Sequence, residues 1–101
     1  LCAARQISIG QRINIGANST VIDTDFHPLN PEARQSNPQQ ADSAPVIIED
    51  DVFIGMNCVI LKGVTIGARS IIAAGSVVTK SIPADCVAGG NPAKVIKRLS
   101  K

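Results

Sequence analysis

His27 is the only histidine in this 101-residue chain, and two carboxylates precede it, Asp23 and Asp25. An imidazole with an ordinary pKa of about 6.5 is mostly neutral at pH 7 and ready to accept a proton. Asp25 alternates with His27, so in an extended segment both side chains project to one face. A carboxylate placed there orients the ring and raises its basicity, which makes Asp25 the orienting candidate. The competing reading is that Asp23 and Asp25 solvate a turn. Cys2, Cys58 and Cys86 are odd in number and match no metal-ligand or redox spacing, so free thiols in a reducing compartment are expected.

Charge divides along the chain. Residues 1–51 carry three basic and seven acidic residues, a balance of −4, whereas residues 52–101 carry seven basic residues against Asp85, a balance of +6. A basic C-terminal half points to an anionic small ligand or phosphate, with a solvated face as the alternative. Nucleic acid is disfavoured, because the only aromatic residues are Phe26 and Phe53 and they do not interleave with the cations. No stretch reaches the length of a membrane span, and no signal peptide is visible.

The elements that must position these residues announce themselves by a period of six. Ile48, Ile54, Ile60, Ile66, Ile72 and Val78 recur at that spacing, each followed four places on by Val52, Cys58, Val64, Ser70, Ser76 or Ile82. The same frame appears earlier in Ile9-Gly10, Ile15-Gly16 and Val21-Ile22. Six is not a helical multiple, and the segments are rich in β-branched residues, so each unit predicts a short strand and a tight turn. Gly or Asn is expected at the strained turn positions. Three units close a triangular coil of 18 residues, and stacked coils share one core. The fold class is therefore all-β, a parallel β-helix forming a single domain over 1–101, with coils at 7–27 and 46–83.

The rhythm breaks between them. Residues 28–45 contain Pro28, Pro31, Pro38 and Pro45 and the polar run "RQSNPQQADS", which predicts a loop projecting from the solenoid with His27 at its root. In the tail, "GGNPAKVIKRLSK" places Asn91 as an N-cap and Pro92 at the first helical position, so a short helix is expected within the cap 84–101. The first coil has no such cover, and the chain begins at Leu1 rather than Met. Missing upstream coils, an N-terminally truncated chain, or a covering partner are the expectations.

"FHPLNPEAR" resembles the "HPLDPEAR" stretch of the maltose and galactoside O-acetyltransferases. "IIEDDVFIGMNCVILKGVTIGARSIIAAGSVVTKSIPADCVAGGNPAKVIKRL" follows their C-terminal coils hexad by hexad. The resemblance spans roughly residues 7–99 and implies a left-handed coil, although ordinary crossovers favour the right hand. It also implies acetyl-CoA as co-substrate, with no metal, and His27 as the general base that deprotonates an acceptor hydroxyl. CoA would lie in a groove between subunits of a homotrimer. Carried over by position, Phe53 replaces a Trp packed along the cofactor, Met56 follows that turn, and Ala74 and Gly75 let the backbone approach the pantetheine arm. Thr79 and Lys80 come next, and Lys94 and Lys97 meet the nucleotide phosphates. The plainer alternatives are that Phe53 anchors neighbouring coils, that the small residues merely suit the repeat, and that the two lysines balance a helix terminus.

The function expected is O-acetyl transfer to a sugar or glycan hydroxyl in the cytoplasm. Serine or antibiotic acetyltransferase, or a non-catalytic β-helix scaffold, is the alternative. A zinc-dependent relative would need three histidines, and an ice-binding face would need ranks of threonine where only Thr20, Thr24, Thr65 and Thr79 occur. The acceptor-binding Asp and Asn that the resemblance implies fall upstream of Leu1 and are not mapped onto this sequence.

Overall fold

The computed structural model describes residues 6–23 and 44–99. Nine very short strands come first: β1 Ile7–Ile9, β2 Asn14–Ile15, β3 Thr20–Val21, β4 Val46–Ile48, β5 Phe53–Ile54, β6 Val59–Ile60, β7 Thr65–Ile66, β8 Ile71–Ile72 and β9 Val77–Val78. Two longer ones follow, β10 Cys86–Gly90 and β11 Ala93–Arg98. Up to β9 every third strand pairs in parallel, and β10 then joins β8 because Ile82 makes only an isolated bridge to Ile66; the three faces are β1-β4-β7, β2-β5-β8-β10 and β3-β6-β9, with β11 added beside β10. Ile48 pairs with Ile66, Ile54 with Ile72 and Ile60 with Val78, eighteen residues on in each case. This is the parallel β-helix that a period of six requires.

Packing explains the repeat. Ile48, Ile54, Ile60, Ile66, Ile72 and Val78 are all at most 1% exposed and form the axial core. The second rank, Val52, Cys58, Val64, Ser70, Ser76 and Ile82, is buried too. Its polar members are satisfied by their own turn and the neighbouring coil. Ser70 Oγ donates to the Pro83 carbonyl at 2.6 Å and accepts from the Cys86 N–H at 3.2 Å. Ser76 Oγ donates to the Ala73 carbonyl at 2.6 Å and accepts from the Gly90 N–H at 3.2 Å. A buried hydroxyl left unpaired would be costly, so these serines act as staples between turns.

Most of the turns carry one residue in the left-handed region. Asn18, Asn57, Gly63 and Gly75 meet the expectation for those positions. Arg12, Asp51, Arg69 and Asp85 do not, yet they adopt φ between 58° and 65°. They are joined in pairs through two contacts each. Arg12 reaches Asp51 at 2.6 and 3.0 Å, and Arg69 reaches Asp85 at 2.6 and 2.9 Å. The bidentate contact holds a side chain in place where the backbone gives Arg no advantage and Asp only a modest one.

The predicted C-terminal helix is absent, and residues 93–98 form β11 instead. It folds back antiparallel on β10, pairing Val87 with Lys97, Ala88 with Val95 and Gly90 with Ala93. Asn91 and Pro92 make the hairpin turn rather than a helix start. The open edge of β8 offers backbone partners, which β10 takes through Val87 and Ala88. Tertiary pairing thus overrides the local capping signal, helped by β-branched Val95 and Ile96. Lys94, Lys97 and Arg98 place charge on the outer edge strand, which discourages further pairing. At the other end, Ile9 and Ile15 belong to the axial rank but are 39% and 38% exposed, because they form the last level described.

Candidate functional site

His27 and Asp25 lie outside the described residues, as does nearly all of the predicted loop 28–45. Its two ends are described. Ile9 pairs with Ile48, Ile15 with Ile54 and Val21 with Ile60, each thirty-nine residues on, so the break inserts 21 residues beyond one coil. The Ala44 N–H donates to the Asp23 carbonyl at 2.9 Å, which brings the chain back to the corner it left. Asp23 does not solvate a turn. It is fully buried, and its Oδ2 accepts the Gln6 N–H at 2.7 Å.

The proposed cofactor residues fall into two groups. Phe53, 51% exposed, stands on the outer side of β5 while its neighbour Ile54 is buried. Register carries that row from Phe53 to Ile71, Val87 and Lys97 across β8, β10 and β11. An apolar strip therefore ends in a cation. Met56, 55% exposed, begins the adjoining corner, and its carbonyl accepts the Gly75 N–H at 2.9 Å. Ala74 sits directly over Gly55, where a Cβ would lie 2.6 Å from the Ala74 nitrogen. Gly75 has φ of 74° and open space on its side-chain face, so its backbone is bare to an approaching ligand. Lys94 pairs with Gly89, and the Ile96 side chain crosses Gly89 close enough that a Cβ there would meet Ile96 Cδ1 at 3.1 Å. Thr79 and Lys80 follow β9 and are exposed, but they lie at the next corner, one face away.

Cys58 and Cys86 are buried, with Cys58 Sγ 3.2 Å from the Ala73 carbonyl, so neither is placed as a nucleophile. Among the described residues no cluster of three His, Cys, Asp or Glu could hold a metal ion. No helix among them is long and apolar enough to cross a membrane.

The family described as the hexapeptide repeat of succinyl-transferase matches residues 6–22 and 45–80. The chain belongs to the hexapeptide-repeat family. A galactoside acetyltransferase solved with coenzyme A is 41% identical, with a TM-score of 0.86 over 93% of this chain and 46% of that one. A hexapeptide-repeat acetyltransferase of Vibrio cholerae O1 biovar eltor, solved with acetyl coenzyme A, is 35% identical, with a TM-score of 0.81 over 94% of this chain and 61% of that one. The Staphylococcus aureus 2,3,4,5-tetrahydropyridine-2,6-dicarboxylate N-acetyltransferase is 58% identical over 59 residues, which are 58% of this chain and 25% of that protein. This chain spans less than half the length of the curated relatives it matches.

The hexapeptide-repeat coil is left-handed. The right-handed crossover preference arises from strand twist, and strands of two or three residues accumulate too little of it to decide the hand. Ile71 and Val87, which continue the row of Phe53, are not singled out by the sequence. Ile71 and Val87 become visible only when the coils are stacked in register. Ser76 looks like a mere small residue of the repeat until its hydroxyl is seen holding the Ala73 carbonyl and the Gly90 N–H.

Proposed function

We propose that this chain is the coil region of an acetyl-CoA-dependent O-acetyltransferase acting on a sugar or glycan hydroxyl. The observation that carries the reading is the apolar row Phe53, Ile71 and Val87 leading to Lys97, beside the bare backbone of Ala74 and Gly75. A long, thin thiol ester with a phosphorylated end fits such a strip: the pantetheine arm along the apolar row and corner, the phosphates at Lys94 and Lys97. The likeness to two acetyltransferases solved with CoA or acetyl-CoA supports the same occupant here.

In the reaction, His27 takes the proton of the acceptor hydroxyl as its oxygen attacks the thioester carbonyl carbon. The carbon–sulfur bond breaks, the acetyl group passes to the oxygen, and CoA leaves as the thiol. A positioned base contributes about 10²–10⁴ in rate, with orientation of the two substrates supplying much of the rest. Asp25 orients the imidazole. Thr79 and Lys80 lie one face away from Phe53, which favours a homotrimer in which one subunit's Thr79 corner meets the next subunit's Phe53 face. Acetyl-CoA use and the buried free thiols Cys58 and Cys86 fit a cytoplasmic setting.

A second reading is N-acetyl transfer, favoured by the Staphylococcus aureus relative, which acetylates nitrogen and shares 58% identity over 59 residues. Thiol release from acetyl-CoA, measured with matched panels of sugar alcohols and amino compounds, separates the two. Release with hydroxyl acceptors alone supports the first reading, and release with amines alone overturns it.

A further inference from the structure

We propose that Ile96 is a further cofactor-binding residue, an apolar bridge that seats the branched carbon next to the diphosphate of CoA; the inference rests on the acetyltransferase reading. The register of β10 and β11 carries the argument. Gly89 lies opposite Lys94 and Ala88 opposite Val95, but Val87 lies opposite Lys97, so Ile96 is an extra residue with no partner across the ladder. A bulge of this kind adds one residue to a strand and re-aims a side chain. Lys94 and Lys97 are three positions apart, which in a regular strand would send them to opposite faces. Their partners Gly89 and Val87 are two positions apart, and residues directly opposite share a face. The bulge therefore admits Ile96 and still leaves both lysines on the outer face, at the end of the row Phe53, Ile71 and Val87.

Ile96 does not use this place to bury itself. At 64% it is the most exposed large apolar side chain among the described residues. It is nevertheless held. A Cβ on Gly89 would meet Ile96 Cδ1 at 3.1 Å and the Ala73 Cβ at 2.9 Å, so the bare Gly89 leaves a notch that Ile96 enters from one side and Ala73 from the other. Ala73 donates its N–H to the Ala88 carbonyl at 2.9 Å and directly precedes Ala74 and Gly75. Apolar carbon thus spans β10, from the strand that carries the lysines to the corner proposed for the pantetheine arm. In CoA the arm begins, one methylene beyond the diphosphate, with a carbon bearing two methyl groups. Phosphates at Lys94 and Lys97 and an arm running to Ala74 and Gly75 lay those methyl groups over Ile96. Covering an aliphatic side chain that is exposed in the free chain is favourable, and the notch has already ordered it.

The test titrates CoA and ADP, which has the nucleotide and diphosphate but no arm, into the native chain, Ile96→Ala, Gly89→Ala and Lys97→Ala by calorimetry. Ile96→Ala is expected to weaken CoA about tenfold while ADP affinity stays within twofold. Lys97→Ala should weaken both ligands. Gly89→Ala, which pushes Ile96 out of its notch, should weaken CoA alone, and combined with Ile96→Ala should add little. The Tm of Ile96→Ala should stay near the native value, because the side chain is mostly exposed in the free chain. Unchanged CoA affinity in Ile96→Ala overturns the proposal. So does an equal loss for CoA and ADP, which would place the side chain against the nucleotide instead of the arm. In the free native chain a nuclear Overhauser contact between the Ile96 δ1 methyl and the Gly89 Hα is expected, and its absence removes the bridge independently of any ligand. A native chain that binds neither CoA nor ADP refutes the acetyltransferase reading and this proposal with it. A native chain that binds CoA, but no more tightly than Ile96→Ala does, refutes the proposal alone.

Discussion

Replacing Gly55 by alanine tests whether the Ala74 corner is part of the cofactor site. A Cβ at Gly55 would sit 2.6 Å from the Ala74 nitrogen and 2.8 Å from its Cα. An ordinary contact needs about 3.4 Å, so the turn carrying Ala74 and Gly75 must retreat by about 0.8 Å. The atoms met are backbone rather than a flexible side-chain end, and overpacking of this kind costs about 1–3 kcal/mol. For a domain of this size each kcal/mol lowers Tm by about 4–8 °C. Gly67 is the matched control: its Cβ would lie 2.3 Å from the Ala84 nitrogen, at the corner on the other edge of the Phe53 face. Gly67→Ala should destabilise at least as much. Only Gly55→Ala moves the backbone proposed to touch the pantetheine arm. If that backbone gives the arm one hydrogen bond, its loss, about 1 kcal/mol, weakens CoA about fivefold. Calorimetric CoA titration at a temperature where all three proteins are folded reads this directly. Equal CoA affinity in the two variants, with both destabilised, would refute the placement of the cofactor at Ala74 and Gly75.

Lys94→Ala and Lys97→Ala should each weaken CoA about three- to tenfold, with the loss shrinking as salt rises, measured by the same titration in low and high salt. Phe53→Ala should weaken CoA with little change in Tm, because the ring is half exposed in the free chain; a large Tm loss would favour the anchoring role instead. The Arg12 guanidinium, bonded to Asp51 and attracting it electrostatically, holds the Asp51 carboxyl below the usual range. Its contribution is therefore complete above the ordinary carboxylate value of about 3.9 and is lost as pH falls further, through the lowered folded value. Amide exchange in β1 should accordingly accelerate below about pH 4 in the native chain, and Arg12→Asn, which keeps a residue suited to the left-handed turn, should flatten that response.

The solenoid was legible because each level repeats one demand: an aliphatic inward, a short strand, a turn. Ile48 through Val78 obey it without exception. The tail was misread because Asn91-Pro92 satisfies a helix-start rule and a hairpin turn equally well, and only the unfilled edge of β8 decides between them. The left-handed Arg12 and Arg69 were hidden for a similar reason, since their support is Asp51 or Asp85 in the neighbouring coil rather than a local preference. Asp23 looked like a solvated acid beside His27, and its burial depends on Gln6 and Ala44 arriving from seventeen and twenty-one positions away. Phe53, Lys94 and Lys97 are proposed as single residues by resemblance. The row that connects Phe53 to Lys97 exists only after stacking.

The most direct test of the account is acetyl-CoA turnover by thiol release for the native chain and His27→Ala, across a panel of sugars, with CoA binding measured on both. Turnover with a hydroxyl acceptor is expected in the native protein, with a fall of at least a hundredfold in His27→Ala and unchanged CoA affinity. Turnover that survives the substitution would remove His27 as the base, and a native chain that does not bind CoA would contradict the enzyme reading altogether.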